Sequence, residues 1–214
     1  MIKCNVTKLC AVIDRQAQSK QGKDGHSFLS FGVLLSVTGR DGSSSGLPIS
    51  VSVEGGKEQA SAYYTGRRVL LSGMLSPRKK GDTIYFNLRA DKVEFVRNSE
   101  EDAIEAEMHF LGKTAKDRPG KPAIDRRTDK KGDPYVTFAA YSSEKDGENC
   151  EFLWVRFLDF DPDGKDFVRA GTFVEVRGSL QLGLYNNKPD IGCLVSEIQP
   201  WKLPSKLESH ETEQ

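Results

Sequence analysis

Gly171-Thr172-Phe173-Val174-Glu175-Val176-Arg177-Gly178-Ser179-Leu180 lies over Gly66-Arg67-Arg68-Val69-Leu70-Leu71-Ser72-Gly73-Met74-Leu75 as a second copy of one pattern, G-x-x-V-x-(L/V)-x-G-x-L. The offset is 105 residues, and it also carries Ala90-Asp91-Lys92-Val93 onto Val195-Ser196-Glu197-Ile198. An offset of 107 carries Ser27-Phe28-Leu29-Ser30-Phe31-Gly32 onto Pro134-Tyr135-Val136-Thr137-Phe138-Ala139. Three matches in one order at nearly one offset mark a tandem duplication. The expected organisation is copy one over 1–97, copy two over 108–202 and a polar, flexible tail over 203–214. Between the copies, 98–107 reads as an acidic linker, because Arg97–Glu107 (RNSEEDAIEAE) holds five acidic residues and little that packs.

Each copy reads as strand, long polar loop, strand, turn, strand, short helix, strand, hairpin, strand. Leu29, Phe31, Val33 and Leu35 alternate with smaller or more polar residues, the period of a half-buried strand. Val136, Phe138 and Ala140 repeat this, as do Leu153, Val155 and Phe157. No segment keeps a helical period; Lys57–Thr65 and Lys165–Ala170 have room for a turn or two each. Five strands in about 100 residues with one helix between the third and fourth is the order of the OB-fold, a small Greek-key barrel. The expected fold is therefore all-β, two tandem five-stranded OB-fold barrels, each with at most one short helix, with a β-sandwich as the alternative.

Composition narrows the class. The 214 residues carry 31 Lys+Arg against 31 Asp+Glu, and 11 Phe, 6 Tyr and 2 Trp supply enough aromatic bulk for compact cores. A disordered chain would be poorer in aromatics and higher in net charge. No stretch approaches the roughly 20 apolar residues of a membrane span, and Met1-Ile2-Lys3-Cys4 does not begin a signal peptide, so a cytoplasmic protein with no membrane partner is expected. Cys4, Cys10, Cys150 and Cys193 form no C-x-x-C pair, which favours reduced thiols over a disulfide framework or zinc site.

The charge is not evenly spread. The loop after the first strand of copy two carries Lys113, Lys116, Arg118, Lys121, Arg126, Arg127, Lys130 and Lys131 against Asp117, Asp125 and Asp129, a local balance of +5. The equivalent loop of copy one has Arg15, Lys20 and Lys23, and the hairpin between its last two strands holds Arg78, Lys79 and Lys80. In OB-folds these loops, with the face of strands two and three, bind oligonucleotides. A basic run alone is most often a solvated loop; the shared placement of these runs points to an electrostatic groove.

If Leu153, Val155 and Phe157 fill the second barrel, Phe152, Trp154 and Arg156 point outward, and Tyr135 and Tyr141 oppose the Val136/Phe138 face. Copy one offers Phe28, and its third strand, Leu47–Val53, has no aromatic residue. An exposed aromatic row is costly unless something covers it. Bases stack on such rings for about 1–3 kcal/mol each regardless of sequence. A subunit or domain interface would cover it equally well.

These segments resemble the bacterial-type single-stranded-DNA-binding protein family, most closely in copy two, over about Met108–Trp201. Phe110-Leu111-Gly112-Lys113-Thr114-Ala115-Lys116-Asp117 is similar to the family's first strand, with Arg118 intervening before Pro119. Tyr135–Ala140 is similar to its second strand, Asn149–Phe157 to its third, and Phe167–Leu180 to its helix-to-strand-four segment. The resemblance places Phe152 where the family stacks a tryptophan on strand three, and Tyr185 where another aromatic stands in the strand-four hairpin. Copy one has Lys80 at the position of Tyr185 and no aromatic at that of Phe152. Lys202–Gln214 is mildly acidic and ends Glu-Thr-Glu-Gln, so partner recruitment through the family's Phe-terminated acidic tail is not expected. The family assembles four OB-folds, so the resemblance implies a homodimer.

Asp159-Phe160-Asp161-Pro162-Asp163-Gly164 begins like a calcium loop, but its twelfth position is Ala170, where a bidentate acid is required. Gly112-Lys113-Thr114 lacks the opening glycine of a phosphate loop, since Glu107 stands there. His26, His109 and His210 sit near no Cys or acid pair at ligand spacing. The expectation is a protein without catalysis, cofactor, metal or small-molecule substrate that coats single-stranded DNA in replication, recombination or repair. An RNA-binding protein and an OB-type protein-assembly module are the alternatives.

Overall fold

The structure, a computed structural model, describes residues 1–39, 42–146 and 149–202; the tail read over 203–214 lies outside them. Copy one forms β1 (Ile2–Gln21), β2 (Ser27–Thr38), β3 (Ser44–Glu54), a short 3-10 helix (Lys57–Ala62), β4 (Arg68–Lys80) and β5 (Thr83–Phe95). Copy two forms β6 (Ala103–Thr114), β7 (Ile124–Thr128), β8 (Pro134–Asp146), β9 (Asn149–Asp159), β10 (Phe173–Tyr185) and β11 (Lys188–Pro200). No helix among the described residues is long and apolar enough to cross a membrane.

Both copies close as five-stranded barrels of the OB topology. In the first the order is β1-β2-β3-β5-β4 and back to β1, with β3 and β5 parallel. In the second it is β6-β8-β9-β11-β10 and back to β6, with β9 and β11 parallel. β1 curls far enough to pair with β4, β6 and β2 in turn. Register shifts between Val6 and Leu9, Ile13 and Arg15, and Arg15 and Gln18 bend it. Among the described residues, β6 meets β8 at Lys113↔Tyr141 and Thr114↔Ala140. Thr114 is fully buried there, and its hydroxyl donates to the Arg169 carbonyl (2.6 Å) and accepts from the Thr172 amide (2.9 Å).

The duplicated motif explains its own glycines. Gly66 (φ 91°) and Gly171 (φ 73°) make the turns that lead into β4 and β10, in a backbone region open to glycine. Gly73 and Gly178 stand at the bulges where β4 crosses β5 and β10 crosses β11. A Cβ at either would lie 2.1 Å from a carbonyl oxygen, that of Arg89 or of Leu194.

The two barrels share one sheet. β1 and β6 pair antiparallel from Ile2↔Phe110 to Cys10↔Ala103, so the apolar core continues from Leu9, Val6 and Cys4 into Met108 and Phe110. Phe110 meets Phe157 edge-on (4.9 Å between centroids), and Phe138 stacks on Phe157 (4.9 Å).

Four segments differ from their reading in sequence. Residues 103–107, read as linker, are the first five residues of β6, held by β1. Asp102 is largely buried, paired with Arg68, and accepts the Ser36 amide at 2.6 Å, so the end of this segment is fastened to barrel one. The loop carrying Arg15, Lys20 and Lys23 is a β-hairpin: Arg15 and Lys20 lie in β1, which pairs with β2 out to Gln21↔Ser27. Copy two's basic loop contains β7, paired with β8, while Lys165–Ala170 forms turns and no helix.

Candidate nucleic-acid interface

The alternation of β9 sends Leu153, Val155 and Phe157 into the core and leaves Phe152 (43% exposed) and Trp154 (44%) outside. Register brings Tyr141 of β8 opposite Trp154. Its ring lies 4.9 Å from Trp154 and 5.3 Å from Phe152, making a three-ring cluster at one end of the β8–β9 face. Tyr135 and Phe160 approach at 6.0 Å at the other end.

Between these ends runs an open groove of about 790 Å³. Its floor is the outer face of β8, β9 and β11, and its wall is the loop from Ala115 through β7. Trp154, Arg156, Phe160, Gln181 and Leu194 face it, as do Lys116, Arg118, Lys121 and Arg127 from the wall. The wall is locally stiff. Arg118 and Lys121 exchange backbone hydrogen bonds at 3.0 and 2.9 Å around Gly120, and the Asp117 carboxylate accepts the Ala123 amide at 2.8 Å. Arg118 and Lys121 are thereby held on either side of one tight turn.

Charge in the groove divides into paired and unpaired. Arg127 is bonded to Asp125 (2.8 Å), which, ahead of the Tyr135 hydroxyl, holds its guanidinium above the ordinary value. Arg156 forks onto Asp190, with Nε donating to Oδ1 at 2.9 Å and Nη2 to Oδ2. Lys116, Arg118 and Lys121 carry no ion pair among the described residues. Cys193 lies beneath the floor; burial pushes its thiol up to about 12, so it offers no thiolate near neutral pH. Beside the groove, the buried Asp159 carboxylate is held through both oxygens by Lys165 Nζ (3.1 and 3.0 Å), in the stretch that begins like a calcium loop.

Other expected residues fall elsewhere. Lys113 lies over the Phe173 ring at 5.0 Å. Arg126 alternates to the face of β7 away from the groove, and Lys130 and Lys131 stand exposed at the β7–β8 turn. Tyr185 is at the tip of the β10–β11 hairpin, which reaches barrel one through a Leu184–Gly39 bridge. The Arg78-Lys79-Lys80 hairpin docks in the opposite sense onto barrel two, with Gly81 N bonded to Glu151 (3.0 Å) and Lys79 4.0 Å from the same carboxylate. Phe28 is half-buried on β2 opposite Glu54. Arg15, Lys20 and Lys23 stand on the β1–β2 hairpin of barrel one, outside the residues that line this groove.

Barrel one has an equivalent groove of about 720 Å³ with different chemistry, lined by Ser30, Ser50, Ser52, Ser76, Asn87 and Arg89. The matching registers Phe31↔Val51 and Phe138↔Phe157 set Leu34, Pro48 and Gly46 where barrel two has Tyr141, Trp154 and Phe152. Sequence reading missed Phe160, although it continues the outward series Phe152, Trp154, Arg156, Leu158. Gln181 and Leu194 carried no local signal, because they reach the groove through the β10–β11 pair and the parallel β9–β11 contact.

No family model matches the chain, and no curated protein does. Among solved structures, it is similar to the single-stranded DNA binding protein from Thermus aquaticus in a deletion-mutant form (14% identity, TM-score 0.48), with 96% of this chain and 98% of that chain covered. It is also similar to a mitochondrial single-stranded DNA binding protein from S. cerevisiae (15% identity, TM-score 0.34; 45% of this chain, 93% of that one). A third is the Plasmodium falciparum SSB in complex with ssDNA (19% identity, TM-score 0.32; 47% and 95%).

Proposed function

We propose that the chain binds single-stranded DNA with little sequence preference, through the groove of barrel two. The observation that supports this best is the coincidence of a three-ring cluster, with Phe152 and Trp154 exposed, and a groove wall bearing three uncompensated cations. Rings need unstacked bases, which a single strand offers and a duplex does not. Lys116, Arg118 and Lys121 line the wall of the same groove, and in this reading they meet the phosphates of a strand lying on the β8–β9 face. Barrel one, without exposed rings at the matching positions, contributes less stacking. In this reading the protein serves replication, recombination or repair in the cytoplasm, as a homodimer carrying four barrels.

Titration with poly-dT, followed by tryptophan fluorescence at several salt concentrations, tests the reading. Trp154 reports directly; Trp201 packs against Phe173 (5.7 Å) and reports little. Three neutralised phosphates predict a log–log salt slope of about −2 from this groove, at about −0.7 each. Trp154→Ala and Phe152→Ala should each weaken binding by about 1–3 kcal/mol, equally for dT and mixed-sequence strands. Salt-insensitive or absent binding would favour the protein-assembly role, and tighter binding to RNA of the same sequence would move the reading to RNA.

A further inference from the structure

Arg156 is a groove cation set beside the Trp154 ring. It follows Trp154 on the outer face of β9 at the two-residue spacing of a strand, roughly 7 Å along the groove floor. Its guanidinium is gripped by both oxygens of Asp190, 34 residues away on β11. The Asp190 side chain is only 15% exposed, whereas that of Arg156 is 52% exposed. A two-point fork fixes the plane of the guanidinium as well as its position. It also compensates the charge, so the pair releases few counterions when a phosphate arrives.

We infer that Arg156 is a base-stacking surface continuous with Trp154, not a phosphate ligand, and that Asp190 is the positioning residue that holds it flat. The inference rests on the nucleic-acid reading of the same groove. A guanidinium plane stacks on a base as an aromatic ring does, and a lysine ammonium, a point charge without a plane, does not. Asp190 therefore sets how the groove binds: it converts a cation into a planar platform and keeps the salt dependence of the site low.

The test is the salt slope of poly-dT binding by the full chain and three variants, with thermal melting as the folding control. Arg156→Gln and Arg156→Lys should both weaken binding by roughly fivefold or more at every salt concentration, with slopes parallel to that of the unaltered protein. Asp190→Asn, nearly isosteric, should steepen the slope by about 0.7, because the guanidinium is then uncompensated. If Arg156→Gln flattens the slope by about 0.7 and Arg156→Lys restores both slope and affinity, Arg156 is a phosphate ligand and the inference fails. It fails equally if neither variant at Arg156 changes affinity. If the unaltered protein shows no salt-sensitive binding, the functional reading itself falls, an outcome separate from the other two.

Discussion

At the scale of single residues, the duplicated glycines are constrained by backbone approach. Gly73 combines φ 147° with a would-be Cβ 2.1 Å from the Arg89 carbonyl, whereas Gly25 has φ 82° and open space around it. Gly73→Ala should therefore cost more than the roughly 1–2 kcal/mol that a left-handed backbone alone imposes, and Gly25→Ala no more than that, as read from denaturant midpoints. Glu175 is set instead by side-chain hydrogen bonds. His109 Nε2 at 2.7 Å, and then Gln199 Nε2 at 3.0 Å, hydrogen-bond its carboxylate and hold it below its ordinary pKa of 4.5. A carboxylate with a depressed folded pKa contributes stability that is present above its ordinary range and lost as pH falls through the lowered value. Glu175→Gln should flatten the acid side of the stability profile and leave the neutral side with the same slope; an unchanged acid limb would rule this out.

At the scale of elements, the chain between β9 and β10 is organised by an ion pair, where a helix was expected. Asp159 is 3% exposed and Lys165 supplies its counter-charge. Lys165→Met should cost about 3 kcal/mol or more, because it strands a buried carboxylate, and Asp159→Asn should cost less. The elements that escaped sequence reading share a physical cause. From Arg15 to Gln21 β1 is largely exposed, and β7 has only Ile124 as an apolar residue. Backbone ladders hold both, and a ladder leaves no apolar period to read. Where one face is buried, as on β8 and β9, the alternation of Val136, Phe138, Leu153, Val155 and Phe157 was legible and correct in phase.

At the scale of the whole molecule, β1 is an interior strand of both barrels' sheet, paired with β4 on one edge and β6 on the other. The barrels share core residues and should unfold as one unit. Calorimetry should show a single transition with an enthalpy near 150 kcal/mol at about 60 °C, from roughly 0.7 kcal/mol per residue. Two resolved transitions would mean that the β1–β6 pairing does not couple them. The zero net charge also takes its meaning here, since free cations collect on the wall of one groove while Asp102 and Asp159 are spent on internal pairs.

By itself the sequence determined the duplication, the all-β barrels and which face of each core strand looks outward. These depend on local terms: a period of two, and glycines where backbones nearly touch. Only the tertiary structure decided which cations converge and which are cancelled. Arg127 and Arg156 read as free charges beside Lys116, Arg118 and Lys121 until folding brings Asp125 and Asp190 against them. The partner of Arg156 is 34 residues distant and joined through a parallel strand contact. Charge acts through space, and that distance is set by strand pairing, which no local pattern encodes.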